Sequence, residues 1–245
     1  MNRKAILIGL NCDSCIPGVK MDLDAWKDYL ISPLGGAWNQ DEIIEMENAR
    51  TEEDIIEAVK TGENADYAFI AFSGHGGIYE QKRNILGLPE TFICLNEHTV
   101  LSEYKLNPGR NCKRCTIILD CCRTVIKESY FNKKAFAQEA YDDNIRLRSR
   151  NLFDRQLNLS DKGCVKVYAT EIGYSAGDNP SFSRVLIHTS KDYMKRNKCS
   201  VLYLNNAVEC AKDVMLKYIP QQIPQYSGGR RHNHYPFAVN PIIIN

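Results

Sequence analysis

Apolar runs of strand length alternate along the chain with segments whose apolar residues recur at helical spacing. Residues 4–10 (Lys4 to Leu10) are apolar without alternation, as in a strand buried on both faces. A loop over 11–20, holding Pro17 and Gly18, precedes a predicted helix over 22–32. In that helix Leu23, Trp26, Tyr29 and Leu30 share a face, and Asp22 and Asp24 fall in the first turn, where the helix dipole favours acids. Gly35-Gly36 breaks the chain, and 41–48 predict a weak strand through Ile43, Ile44 and Met46. Thr51, with Asp54 three residues on, has capping-box spacing and predicts a helix to about Thr61-Gly62. The run 67–72 is a second buried strand, and Ser73-Gly74-His75-Gly76-Gly77 follows it at once.

Residues 78–115 are less regular, with a short strand at Phe92-Ile93-Cys94-Leu95 and a turn at Pro108-Gly109. A strand over 116–120 ends in Asp120-Cys121-Cys122-Arg123. Residues 123–160 read as polar, basic and irregular, with Arg146, Arg148 and Arg150 near their centre; so long a connection is functional or disordered. Strand 164–169, helix 181–196 and a strongly amphipathic helix over 200–219 come next. The last carries Leu204, Ala207, Val208, Ala211, Val214, Met215 and Tyr218 on one face and stops before Pro220 and Pro224. Residues 236–239 predict a final strand. Strands alternating with helices predict an α/β fold, a mostly parallel sheet with helices on both faces. Neither a repeat nor a second-domain boundary interrupts the pattern, so residues 1–245 are expected to form a single domain.

Composition narrows the function classes. With 44% hydrophobic and 25% charged residues, 245 residues suit one well-buried core. A formal net charge of +1 gives no electrostatic reason for a nucleic-acid or membrane partner. There is no apolar run of about 18 residues for a membrane helix. The apolar stretch after Arg3-Lys4 is too short for a secretory signal. The ten cysteines are therefore expected to be reduced thiols in a cytoplasmic protein, with Cys94, Cys164, Cys199 and Cys210 acting as small hydrophobes.

The candidate chemistry lies at two strand ends. In an open parallel sheet, ligands bind beyond the carboxyl ends of the strands. His75 and Cys122 each stand three residues past an apolar run, and parallel neighbouring strands would bring them to one edge. A nearby imidazolium lowers a thiol pKa from about 8.5. The thiolate attacks a carbonyl, and the imidazolium protonates the leaving amine. The glycines around His75 would let substrate backbone approach closely. The N–H groups of Gly76 and Cys122 are candidate oxyanion donors, each worth roughly 3 kcal/mol in the transition state.

Other readings of these residues are blander. A histidine between glycines is commonly a turn residue, and a cysteine after a strand is commonly structural. Cys12-x-x-Cys15 and Cys112-x-x-Cys115 have zinc-ligand spacing, but one pair follows its strand and the other precedes its strand, which puts them at opposite edges. Cys12-x-x-Cys15 as a redox pair lacks a helix N-terminus directly after it. His232-x-His234 beside Arg230-Arg231 reads as a solvated loop before it reads as a basic patch.

Taken together, these segments resemble the caspase-like cysteine peptidases, and among them the metacaspases and their prokaryotic relatives. Ala5-Ile6-Leu7-Ile8-Gly9 resembles the family's first strand, and Pro17 to Asp22 the glycine-to-acid segment of its first helix. Phe72-Ser73-Gly74-His75-Gly76 is similar to the catalytic histidine turn, and Asp120-Cys121-Cys122 to the Asp-x-Cys of metacaspases. The family keeps its histidine roughly 50 residues before its cysteine, as His75 and Cys122 do. Tyr168 to Ser183, Gln222 to Gln225 and Pro236-Phe237 resemble later segments. Arg123-Thr124-Val125 departs from the small residue and glycine that usually follow the nucleophile.

The resemblance implies a three-layer caspase-like sandwich with a large-subunit-like part over 1–122, a cleavable linker over 123–160 and a small-subunit-like part over 161–245. It implies a cysteine endopeptidase with a dyad of Cys122 and His75; as a second departure from the family, no recruitment or regulatory prodomain is expected. Asp22 and Asp120 would line a pocket for Arg or Lys before the cut bond, Arg by bidentate pairing. Arg146, Arg148 and Arg150 are candidate self-processing sites in an exposed linker. No cofactor is required. Some metacaspases need calcium, so the resemblance allows calcium as an activator; Asp142-Asp143, Asp161 and Asp178 are available acids, although no loop has calcium-ligand spacing and no metal site is assigned. The partners are a protein or peptide substrate and, through an exposed final strand, a second copy or an activating protein. The alternative is an inactive caspase-like binding or regulatory module, suggested by Arg123.

Overall fold

The computed structural model describes residues 1–11, 16–47, 51–83, 87, 89–96, 98–124 and 142–242. The chain begins with β1 (Arg3–Leu10), α1 (Pro17–Ile31), β2 (Ile43–Glu47), α2 (Glu52–Lys60) and β3 (Tyr67–Gly74). Three strands follow, β4 (Gly76–Arg83), β5 (Pro89–Cys94) and β6 (Val100–Ser102), before β7 (Arg114–Asp120). Then come α3 (Asp143–Leu159), β8 (Gly163–Tyr168), α4 (Phe182–Asn197), β9 (Val201–Tyr203), α5 (Leu204–Tyr218), β10 (Gln225–Ser227) and β11 (Pro236–Val239).

A six-stranded sheet in the order β10-β8-β7-β3-β1-β2 forms the centre. All its pairs are parallel except β10 with β8. Successive side chains of a strand point to opposite faces, so an unbroken apolar run serves two cores at once. Ala5, Leu7, Phe69, Ala71 and Ile118 pack with Trp26 of α1, Phe153 of α3, Leu186 of α4 and Ala211 of α5. Ile6, Ile8, Ile70, Ile117 and Leu119 pack on the other face with Ile55 of α2 and with Ile93 and Leu101 of β5 and β6. The α/β architecture with helices on both faces is therefore as the sequence pattern predicts.

Several boundaries differ from the predicted ones. The first helix starts at Pro17, not at residue 22, because proline is preorganised for the first helical position. Asp22 and Asp24 thus sit beyond the first turn, which holds no acid. The irregular stretch after His75 contains a three-stranded antiparallel sheet, β4-β5-β6. Residues 201–203 are strand, not helix, and Tyr218 is 69% exposed instead of joining the buried face of α5. The last strand is not an exposed edge: β11 is buried and pairs antiparallel with β9 in a separate two-stranded sheet.

The largest correction concerns the expected irregular linker. Residues 143–159 form α3, with Asp142 as N-cap and Ser149, Phe153 and Leu157 buried at four-residue spacing. Arg146 donates to the carbonyls of Ile31 (2.6 Å) and Trp38 (3.3 Å), capping the end of α1. Arg150 makes a two-pronged pair with Glu42 at 2.5 and 2.7 Å. Glu42 also meets the buried Arg3, whose guanidinium stacks 4.5 Å over Trp38. Of the three candidate processing arginines only Arg148 is exposed, and its backbone is helical. The rest of the expected linker, 125–141, lies outside the described residues, as do Cys12 and Cys15.

Candidate active site

β3 and β7 are parallel neighbours, with Phe72 opposite Leu119 and Ser73 opposite Asp120. Their chains therefore leave the sheet at the same end. His75 directly follows β3, and Cys122 stands two residues past the end of β7. The two adjacent thiols are unlike. Cys121 turns inward, is 2% exposed, and packs against Gly76, where a Cβ would lie 2.6 Å from its sulfur. Cys122 stays partly exposed. The absence of a side chain at Gly76 is thus demanded by Cys121 packing and by the nearby Phe92 carbonyl, which a Cβ would meet at 2.8 Å.

Backbone bonds fix the segment around Cys122 from both sides. The Arg123 N–H donates to Tyr174 O and the Gly173 N–H to Arg123 O, both at 2.9 Å. The Ile78 N–H donates to Thr124 O at 3.0 Å, and the Cys94 N–H to His75 O at 2.9 Å. The Cys122 sulfur accepts the Ala176 N–H at 3.3 Å. Burial pushes the Cys122 thiol up, opposed by the Ala176 N–H, which favours the thiolate. Burial also pushes His75 down, opposed by the charge of Asp178. Both burial shifts run against the ion pair of thiolate and imidazolium, while the Ala176 N–H and Asp178 run toward it.

Beneath this edge lies a buried acid cluster. Asp22, 1% exposed, accepts the hydroxyls of Ser73 (2.6 Å) and Ser181 (2.5 Å) and the Arg184 Nε–H (2.9 Å). Asp120 accepts the Ser183 N–H at 2.7 Å. These bonds tie the ends of β3 and β7 to the start of α4, whose N-cap is Ser181. Burial raises Asp22 to about 6 despite Arg184, and burial together with the charge of Asp22 raises Asp120 to about 7. Asp178 joins the cluster, because Arg184 also donates to its carbonyl. The Asp178 carboxylate accepts the Gly18 N–H at the start of α1. A Cβ on Gly18 would fall 1.6 Å from Asp178 Oδ1, so glycine is needed there. Asp178 Oδ2 is buried with no hydrogen-bond partner among the described residues.

Arg123, the residue that breaks the expected pattern, has a structural place. It is 6% exposed, and its guanidinium stacks 3.9 Å from the Tyr168 ring centre. Nε–H donates to Thr91 Oγ1 (3.1 Å) and an Nη1–H to Thr170 O (3.4 Å). It thereby clamps the segment that carries Cys122 to β5 and to the end of β8.

The structure brings His75, Gly76 and Cys122 to one edge and joins Asp22 to Asp120. It does not bring Arg146, Arg148 or Arg150 there; they lie on α3. Both pocket acids are enclosed, and Asp22 is bound to Arg184 instead of lining an open pocket. Arg184 and Ser181 were given no role in the sequence reading, Asp178 appeared there only as an acid available to calcium and Ser73 only within the histidine turn; Gly18, two residues into α1, was the sequence signal for a close approach. Asp142 is spent as a helix cap and Asp161 accepts the N–H groups of His232 and Asn233, well apart in the chain from Asp178. Among the described residues, no group of three or more His, Cys, Asp or Glu is placed to hold a metal ion. No helix among them is long and apolar enough to cross a membrane.

Comparisons with known proteins agree with this architecture. No curated protein matches the sequence. Among solved structures the chain is similar to caspase-1 from Spodoptera frugiperda, with a TM-score of 0.55 at 11% identity over 94% of this chain and 88% of that one. At that identity the likeness speaks for the fold alone. The family model described as the caspase domain matches residues 2–235, nearly the whole chain. With that match and the sheet and strand-end arrangement above, the chain belongs to the caspase-domain family of cysteine peptidases.

Proposed function

We propose that the chain is a cysteine endopeptidase of metacaspase type that cuts after Arg or Lys, with Cys122 as nucleophile and His75 as acid and base. The observation that carries this reading is the register of β3 against β7, which sets both residues beyond the same sheet edge. Burial raises the Cys122 thiol and lowers His75, so in this reading His75 takes the thiol proton as the sulfur attacks the scissile carbonyl carbon. The oxyanion is held by the N–H groups of Gly76 and Cys122. His75 then protonates the leaving amine, and a thioester remains. Water attacks it with His75 as base, releasing the carboxylate product and restoring the thiol.

The preference for a basic residue is supported by charge. Asp22, Asp120 and Asp178 outnumber the single guanidinium of Arg184, and the buried Asp178 Oδ2 has no hydrogen-bond partner among the described residues. Arg offers two donors to such a site, and Lys offers a point charge. Self-processing at Arg148 would require α3 to unwind locally, since a protease needs an extended backbone. We place the protein in the cytoplasm, where its thiols stay reduced, and keep calcium as an activator to be tested.

Peptides with a fluorogenic leaving group after Arg, Lys or Asp, given to the wild type and to Cys122→Ala with and without calcium, test the reading. Turnover of the Arg and Lys peptides alone, lost in Cys122→Ala, is expected. Turnover of the Asp peptide instead would overturn the specificity. The second reading, an inactive binding module, is favoured by the burial that pushes the Cys122 thiol up. It prevails if no peptide turns over and no electrophilic peptide labels Cys122.

A further inference from the structure

At the end of the sheet opposite the active site lies a second group of thiols. Cys115 in β7 is directly opposite Cys164 in β8, in a parallel register. Both side chains belong to the same face of the sheet, packed in the core that holds Ile117 and Leu119. Adjacent strands lie about 4.8 Å apart, inside the ~4.4–6.8 Å range of Cα separations that a disulfide bridges. Cys115 is 2% exposed, whereas Cys164 is only partly buried. A third thiol, Cys112, is committed elsewhere, donating to Arg114 O at 3.1 Å.

We propose that Cys164 and Cys115 form a peroxide-oxidisable dithiol, a modification site separate from the catalytic edge. Cys164 is the attacking group and Cys115 the resolving one. Three features suit Cys164 to the first role. The Cys115 thiol donates a hydrogen bond to its sulfur, which lowers its pKa, and Lys166 and Arg231 add positive charge nearby. Burial pushes Cys115 well up, so it waits as a protonated thiol.

The chemistry balances with hydrogen peroxide as oxidant. The Cys164 thiolate attacks one peroxide oxygen; an S–O bond forms, the O–O bond breaks, and hydroxide leaves to be protonated to water. The Cys115 sulfur then attacks the Cys164 sulfenic sulfur; the S–S bond forms, the S–O bond breaks, and the thiol proton leaves with the hydroxide as a second water. Two thiols are oxidised by two electrons, and one peroxide is reduced to two waters. The product would staple β7, the strand that leads to Cys122, to β8.

The test uses the full chain as Cys122→Ala, so that the active-site thiol does not compete. After peroxide treatment, alkylation and tryptic digestion without reductant, peptide 115–123 should be joined to peptide 163–166. Fragmentation should set the bond at Cys115 and not at Cys121, and reductant should release it. Adding Cys112→Ser should leave the bond unchanged, while adding Cys164→Ser should abolish it. Cys164 is partly exposed, so this control does not depend on the buried Cys115→Ser variant folding. The oxidised chain should also unfold at a higher temperature than the reduced one. A bond from Cys164 to Cys112, or Cys164 as sulfinic acid with Cys115 still alkylated after denaturation, would overturn the proposal.

Discussion

Arg184 Nε lies 2.9 Å from Asp22 Oδ1, so the buried acid of α1 already has an internal cation. Both side chains are enclosed, at 11% and 1% exposure. Removing one partner of a buried pair leaves the other uncompensated and costs about 3–5 kcal/mol. Arg184→Gln is expected to lose stability of that order at pH 8. At pH 5 the loss should be smaller, because Asp22, already raised to about 6, can take up a proton in place of the guanidinium. Arg184→Lys should keep most of the stability. With the internal cation gone, the KM for an arginine peptide should fall. Denaturant melts at the two pH values and steady-state kinetics check this; equal losses at both pH values would show that the pair is not electrostatically coupled.

Asp120 makes a separate prediction. Its carboxyl is raised from 3.8 to about 7 in the folded chain, by burial first and by Asp22 second. Between these values the folded chain holds a proton that the unfolded chain releases, so this group lowers stability as pH rises from about 4 to 7, and its cost is constant above. At 1.36 kcal/mol per unit the cost reaches at most about 4 kcal/mol. Asp120→Asn cannot ionise and can still accept the Ser183 N–H. Its stability relative to the wild type should therefore climb across that window, while activity on basic peptides falls. A pH-independent difference between the two proteins would refute the assignment.

Asp178 acts on His75 through charge. It opposes the burial that depresses the imidazole, so Asp178→Asn should lower the His75 pKa further. A base must be unprotonated to act, and the acid limb of the kcat/KM profile should move to lower pH. Losing a charge-assisted acceptor should also weaken basic peptides by roughly 10- to 100-fold in kcat/KM, for about 1.5–3 kcal/mol. Gly18→Ala should copy both effects, since its Cβ would displace the Asp178 carboxylate. An unmoved acid limb in both variants would remove Asp178 from the site.

The sequence carried the strands and the edge well, and for a physical reason. Unbroken apolar runs such as 67–72 have few alternatives to a doubly buried strand, and two parallel strands must end on one side. It carried α3 poorly because Ser149, Phe153 and Leu157 make a narrow apolar stripe among arginines whose partners, Ile31, Trp38 and Glu42, are remote in the chain. The same holds for the acid cluster. Asp22 could be picked out by its place before the first helix face, but its neutraliser Arg184 comes from 162 residues downstream and no local pattern links them. Burial, which raises the Cys122 thiol and lowers His75, is likewise a property of the assembled edge.

Arg123 turns from an anomaly into a test of how Cys122 is held. Its planar guanidinium stacks 3.9 Å from the Tyr168 ring centre while bonding Thr91 and Thr170, so charge alone does not replace it. A desolvated cation–π contact and a buried charged hydrogen bond together are worth about 2–4 kcal/mol. Arg123→Ala should lose about that much stability and, by freeing the segment between β7 and Tyr174, lower kcat more than it raises KM. Arg123→Lys should recover only part, because an ammonium cannot stack and fork together. Tyr168→Leu should lose the stack and spare the Thr91 bond. If the ring and the guanidinium act as one unit, Arg123→Ala/Tyr168→Leu will fall short of the sum of the single losses by about 0.5–2 kcal/mol. Additive losses, or an Arg123→Lys protein equal to wild type in kcat, would mean that the clamp does not position Cys122.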